Sequence, residues 1–110
     1  MITLILLAAL SSQITFKTSQ QGNITTIIPQ VILAESCDCQ VQIVALRKGQ
    51  SGQSTSRQQN TLFIPANQPI DLMRLSLTIS AGDTVKIDVT VTDGKTLHLS
   101  QQWSPAGSAL

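Results

Sequence analysis

Thr84-Val85-Lys86-Ile87-Asp88-Val89-Thr90-Val91-Thr92 decides the fold class. Val85, Ile87, Val89 and Val91 fall on one parity; Lys86, Asp88 and Thr90 fall on the other. Side chains alternate between the faces of a strand, so this spacing makes one apolar and one polar face. Asp93-Gly94 follows, a pair suited to a type I′ turn, whose two central positions both need positive φ. Leu97, Leu99, Gln101 and Trp103 then alternate with His98, Ser100 and Gln102 as the returning strand.

The same period of two runs upstream. Met73, Leu75, Leu77 and Ile79 share one face, with Arg74, Ser76 and Thr78 on the other, and Ala81-Gly82-Asp83 turns the chain into the Val85 strand. Ile14 and Phe16 open a first strand that ends near Gln21-Gly22. Ile24 to Leu33 forms the next, interrupted by Pro29, which suits an edge position or a bulge. Cys39, Val41, Ile43 and Ala45 share a face, with Gln40 and Gln42 opposite. Gly49 to Gln59 is nearly devoid of apolar residues and reads as a long hairpin loop or an exposed edge strand. Leu62 to Ile64 reads as a short strand, and Pro65-Ala66-Asn67-Gln68-Pro69 as a turn. No segment sustains a 3.6-residue period. The fold class expected is all-β: an immunoglobulin-like β-sandwich of about seven antiparallel strands, with a small closed barrel as the alternative.

Composition narrows the function. The 110 residues suffice for one core. Charged residues make up 12%, and seven Lys/Arg against six Asp/Glu leave +1, which gives no electrostatic case for nucleic acid or an anionic membrane. Phe16, Phe63 and Trp103 are the aromatic residues, too few for base-stacking platforms. The polar half is rich in Gln, Ser and Thr.

Ile2 to Leu10 is almost unbroken apolar sequence, and Ala8, Ala9, Ser11 and Ser12 are small residues where a signal peptidase could cut. The run is far shorter than the ~20 residues that span a bilayer. The expectation is a cleaved signal at 1–8, its end reaching up to 12, then a single domain over 9–110 with a frayed tail from about 104 and no membrane anchor. A buried first strand is the competing reading. Export would place the domain in an oxidising compartment where a thiol pair can persist as a disulfide.

The thiols are Cys37 and Cys39, one residue apart. Same-face neighbours on a strand are separated by twice the ~3.3 Å rise, near the upper end of the ~4.4–6.8 Å Cα range of a disulfide. A bond there is attainable under strain, and the loop it closes is too small to stabilise much by restricting the unfolded chain. Asp38 and Glu35 make the surroundings negative, which disfavours an activated thiolate. Small, apolar-like packing residues are the plain reading. His98, the sole histidine, sits on a polar strand face, where a Ser-His-Asp pairing would be accidental. A Cu(I) site from Cys37, Cys39, Met73 and His98 lacks a second thiol pair, so no metal or cofactor is expected. Asn23-Ile24-Thr25 is a bare glycosylation sequon and carries little.

Leu6–Phe16, Cys37-Asp38-Cys39, Ser51-Gly52-Gln53-Ser54, Pro65–Ile70, Val85-Lys86-Ile87 and Leu97–Trp103 together resemble the CsgC family of curli assembly proteins, in order and spacing almost end to end. The resemblance implies a periplasmic, immunoglobulin-like, monomeric domain that keeps the major curli subunit from forming amyloid before export, with other curli secretion components as further partners. It also implies, as the alternative, thiol–disulfide exchange through Cys37 and Cys39, because the family fold resembles a domain of the exchange protein DsbD. A structural accessory of the secretion pore is a third reading. Lys86, Thr90, His98 and Gln102 are the client-binding candidates, on a mixed hydrogen-bonding face whose plain reading is a solvated sheet surface.

Overall fold

The computed structural model of the chain describes residues 12–50 and 52–105. They form eight strands: β1 (Gln13–Gln21), β2 (Ile24–Ile32), β3 (Cys37–Gly49), β4 (Gly52–Ile64), β5 (Ile70–Asp71), β6 (Leu75–Thr78), β7 (Thr84–Thr92) and β8 (His98–Trp103). Two antiparallel sheets result. In the first, β2 pairs β1 on one side and both β5 and β6 on the other; the second runs β4-β3-β7-β8. Among the described residues no ladder joins the sheets, and the fold is an all-β sandwich instead of a closed barrel. Of the expected signal at 1–8, its end reaching up to 12, the residues up to Ser11 lie outside the described residues, and so does the expected tail beyond Pro105.

The core forms where the apolar parities face each other. Val85, Ile87, Val89 and Val91 of β7 are essentially solvent-free, as are Ile27 and Val31 of β2 and Ile64 at the end of β4. Cys39, Val41 and Ile43 add the inner face of β3. Burying one Val or Ile side chain is worth about 1.5–3 kcal/mol, so β7 alone anchors much of the sandwich. No polar or charged residue is buried among the described residues. Polar residues on the inner parity, such as Arg47 of β3 and Gln58 of β4, stay half-buried or exposed.

Three elements differ from the sequence reading, each for a physical reason. Pro29 sits in the central strand β2, fully buried, and not at an edge. Its carbonyl accepts the Leu72 N–H at 2.8 Å, but its nitrogen has no proton to return. The neighbouring strand is accordingly split there into β5 and β6, so the expected strand from Met73 to Ile79 shortens to Leu75–Thr78. Asp93-Gly94 does begin a hairpin, but not a two-residue one. Thr92 pairs with His98, leaving a five-residue loop in which Gly94 alone takes positive φ. The Asp93 carboxylate accepts the N–H groups of Lys95 at 2.7 Å and Leu97 at 3.0 Å, replacing the tight turn with a side-chain cap. Finally, Leu62–Ile64 is no separate strand. It ends a continuous thirteen-residue β4 that includes most of the polar Gly49–Gln59 segment. The Pro65–Pro69 turn forms as read, with Asn67 at φ 59 and its N–H on the Leu33 carbonyl at 2.7 Å.

Candidate functional site

The outer face of the β4-β3-β7-β8 sheet follows from register. Gln59, Gln42, Thr90 and Ser100 form one cross-strand row, and Thr61, Gln40, Thr92 and His98 the row beside it. The next row is Arg57, Val44, Asp88 and Gln102, followed by Thr55, Leu46 and Lys86. Gln and Thr thus form a lattice of donors and acceptors across four strands. The Gln102 amide donates to the Asp88 carboxylate at 2.8 Å, fixing one corner of it.

Of the four residues singled out on this face, three come together. Thr90, His98 and Gln102 lie within adjacent rows of β7 and β8. Lys86 does not join them, because the β8 ladder ends at Ile87–Trp103 and leaves Lys86 beside Leu46 of β3. Its company is different: Arg57 and Lys48 belong to the same outer parity. Val44 and Leu46, half-buried, sit between these cations. No ion pair involves Lys48, Arg57 or Lys86 among the described residues, where the pairs are Lys17–Asp71 and Arg47–Asp83. Sequence reasoning missed this cluster. Its signal was Val44 and Leu46, two apolar residues on the parity that Gln40 and Gln42 mark as polar.

Asp83 anchors the inner side of the same end. It accepts the Ser80 N–H at 3.0 Å and the Arg47 guanidinium at 3.1 Å. The Ser80 hydrogen bond, helped by Arg47 and opposed by desolvation, holds its carboxyl below the usual range. A Cβ at Gly49 would collide with that carboxylate, so the glycine is there for close approach.

Cys37 and Cys39 are joined, with Cα atoms 5.3 Å apart. That is shorter than two strand rises, so the first residues of β3 contract enough to bring the pair within disulfide range. Both point into the core: Cys39 is fully buried and Cys37 is 9% exposed. The opening beside them is a cleft of about 280 Å³ between the β2–β3 connection and the β7–β8 loop, where Glu35 and Asp93 are the charged residues. The backbone N–H of Lys95, then that of Leu97, holds the Asp93 carboxyl below its usual range. This setting favours neither a thiolate nor an anionic thiol reagent. No cluster of metal-ligating side chains occurs among the described residues.

Comparison with known proteins places the chain in a family. The family model described as thin aggregative fimbriae synthesis protein (Tafi-CsgC) matches residues 5–103. The chain belongs to the CsgC family. It is 65% identical to the curli assembly protein CsgC of Escherichia coli (strain K12) over 104 residues, 94% of each chain. Identity to the curli assembly protein CsgC of Salmonella typhimurium is 64% over 94% of this chain and 96% of the relative. The solved E. coli curli protein CsgC (SeCys) superposes with TM-score 0.83 at 64% identity, covering 86% of this chain and all of that one. R. palustris CsgH, at TM-score 0.63 and 14% identity over 82% of this chain and 90% of its own, shares the fold.

Proposed function

We propose that this chain is a periplasmic, chaperone-like inhibitor that keeps curli subunits from polymerising into amyloid before secretion. The observation that carries the reading is the outer face of the β4-β3-β7-β8 sheet, where Gln, Thr and Ser occupy successive cross-strand rows. Amyloid grows by pairing strands and stacking identical polar side chains, Gln ladders among them. A folded domain that presents such rows can satisfy a client strand without propagating it. The family's curli assembly role supports the partner, the major curli subunit held unfolded, with other secretion components as further contacts.

The domain acts as a monomer and catalyses nothing. Thiol–disulfide exchange through Cys37 and Cys39 is the weaker reading, because an exchange partner must reach a sulfur along the bond axis, and Cys39 is fully buried while Cys37 is only 9% exposed. Purified protein at substoichiometric dose should lengthen the lag of curli-subunit fibril growth followed by thioflavin fluorescence. A Cys37→Ala, Cys39→Ala variant should lengthen it equally; alanine avoids burying two hydroxyls. An unchanged lag with the unaltered protein would sink the inhibitor reading, and a lag lost only in the double variant would restore the redox one.

A further inference from the structure

Strand β4 is the outermost strand of its sheet and pairs with nothing on its far side among the described residues. All of its thirteen residues except Leu62 and Ile64 are exposed. Counted from the Gly49–Gly52 pair that closes the turn, every second residue from Gln53 to Phe63 turns its N–H and C=O away from β3. An open edge of this kind recruits other strands, and proteins blunt it by shortness, proline, charge or a bulge. None of these is strongly present. The β3–β4 register runs unbroken from Gly49–Gly52 to Cys37–Ile64, with no proline and with Arg57 as the single charge. The other edges are guarded better: β6 has four residues, β8 has six, and β1 packs beside β8.

Two further observations say what the edge would hold. Phe63, 61% exposed, ends the row of outward-facing residues as an apolar side chain without cover. At the turn end of β4, a cleft of about 150 Å³ is lined by Ala45–Arg47 of β3, Ser54–Ser56 of β4, and Leu77 and Val85. A strand laid along β4 would cover this cleft with one face. Its other face would carry the Gln42–Gln59 row one position further, as a Gln ladder does. We propose that the β4 edge is a strand-addition site for an extended Gln/Asn-rich segment of neutral or negative charge, and that the client is held there. This rests on the inhibitor reading above and goes beyond it in naming the edge and the recognition mode.

The occupant is a partner strand and not a second copy. The β3–β4 hairpin carries Arg47, Lys48 and Arg57 against Asp38 alone. Arg57 lies one residue from the middle of β4, so two β4 edges paired antiparallel in full overlap bring both Arg57 residues into diagonal contact, with Cα atoms about 7–8 Å apart. A neutral or carboxylate-bearing segment meets no such repulsion. Main-chain pairing gives affinity in this mode while alternate side chains give selectivity. Once added, the segment has a whole folded domain along one edge, and that edge is lost to fibril growth.

The test uses proline at outward-facing positions, which removes a free donor and leaves the β3 ladder intact. Thr55→Pro and Gln59→Pro should fold, as judged by circular dichroism and thermal melting, and lose about tenfold or more of their potency against fibril growth. Ser100→Pro, the same change on the β8 edge, should retain potency. Amide exchange of the unaltered protein provides a second measurement that needs no variant. A synthetic Gln/Asn-rich peptide as long as β4, with one Asp, should slow exchange at Gln53, Thr55, Arg57, Gln59 and Thr61 selectively. If the unaltered protein delays fibrils and both β4 variants do so equally, or if exchange slows on β8 instead, the edge assignment is wrong. If it neither delays fibrils nor binds the peptide, the inhibitor reading falls and this site with it. Concentration-dependent dimerisation that slows the same β4 amides without peptide would replace the partner strand by a second copy and overturn the proposal.

Discussion

The hairpins β7–β8 and β3–β4 belong to one sheet, yet they are held in place by different forces. Alternate residues of β7 are packed into the core, and Lys86, Asp88, Thr90 and Thr92 between and after them are half-buried. Most of β4 touches solvent on both faces, although its ladder with β3 is longer than any other among the described residues. Burial positions the first hairpin. Main-chain hydrogen bonds to one neighbour hold most of the second, and such bonds contribute only about 0.5–1.5 kcal/mol each in net terms. Long regular pairing is therefore compatible with a strand that has little side-chain stake in the core, and such a strand is free to use its other side.

Substitution at equivalent depth along the two hairpins sharpens that contrast most. Ile87→Ala leaves a cavity in a solvent-free site and should cost about 2–5 kcal/mol in urea unfolding. Gln58→Ala, on the inner parity of β4 but exposed, should change stability by less than about 0.5 kcal/mol. Similar losses at both positions would mean that β4 is held by contacts the fold does not display.

The disulfide lies where the two regimes meet, since Cys37 and Cys39 pair with Ile64 and Leu62 at the anchored end of β4. The loop it closes is so short that loop-closure entropy accounts for roughly 1.5 kcal/mol. Cys37→Ala, Cys39→Ala should therefore lower stability by about that amount plus the lost sulfur packing, and reduction of the native pair should be slow until the protein is unfolded by denaturant. Rapid reduction under native conditions, measured by thiol labelling and intact mass, would show that the β3 end opens and would bring exchange chemistry back into consideration.

Acid should loosen β5 and the loops flanking β7 before it loosens the core. Asp71 is held low chiefly by its hydrogen bond from Lys17, then by Gln30. Asp83 is held low chiefly by the Ser80 N–H, and Asp93 by the Lys95 N–H. A depressed folded pKa stabilises above the unfolded value, about 3.9 for Asp, and that contribution disappears as pH falls through the folded one. Stability should accordingly be flat from neutral pH to about 5 with respect to these groups and decline below about 4. Asp83→Asn should make that decline shallower while lowering the neutral plateau. A decline with the same slope in wild type and variant would remove Asp83 from the account.

Strand alternation made β7 legible from its sequence because burial selects one residue type at every second position. β4 was less legible for the converse reason: with no face to bury, Gly52–Thr61 carries no period to read, and only pairing with β3 defines it. Pro29 misled because its local rule concerns the missing N–H. In the fold that defect is tolerated in a central strand by splitting the neighbour into β5 and β6. The Lys48, Arg57 and Lys86 cluster was hidden because its members come from three strands whose order only the fold supplies. Lys86, Thr90, His98 and Gln102 share a face by parity, but which of them are neighbours depends on where β8 stops.

The smallest effect bears on which end of the sheet a client meets first. Lys86, Arg57 and Lys48 surround Val44 and Leu46 on the outer face, whereas Asp88 balances the β8 end next to His98, Ser100 and Gln102. If negative client segments are steered toward the cations, charge reversal should slow encounter while leaving the bound contacts largely intact. Lys86→Glu and Arg57→Glu should each reduce the rate of client capture by roughly two- to fivefold at low salt, with the difference shrinking as salt approaches about 1 M, where the screening length is only about 3 Å. His98→Gln, on the balanced end, should leave the rate unchanged. Stopped-flow capture of unfolded client at a series of salt concentrations reads all three. Equal rates at every salt level would show that steering plays no part, and the two ends of the sheet would then differ in how they hold a strand and not in how they attract it.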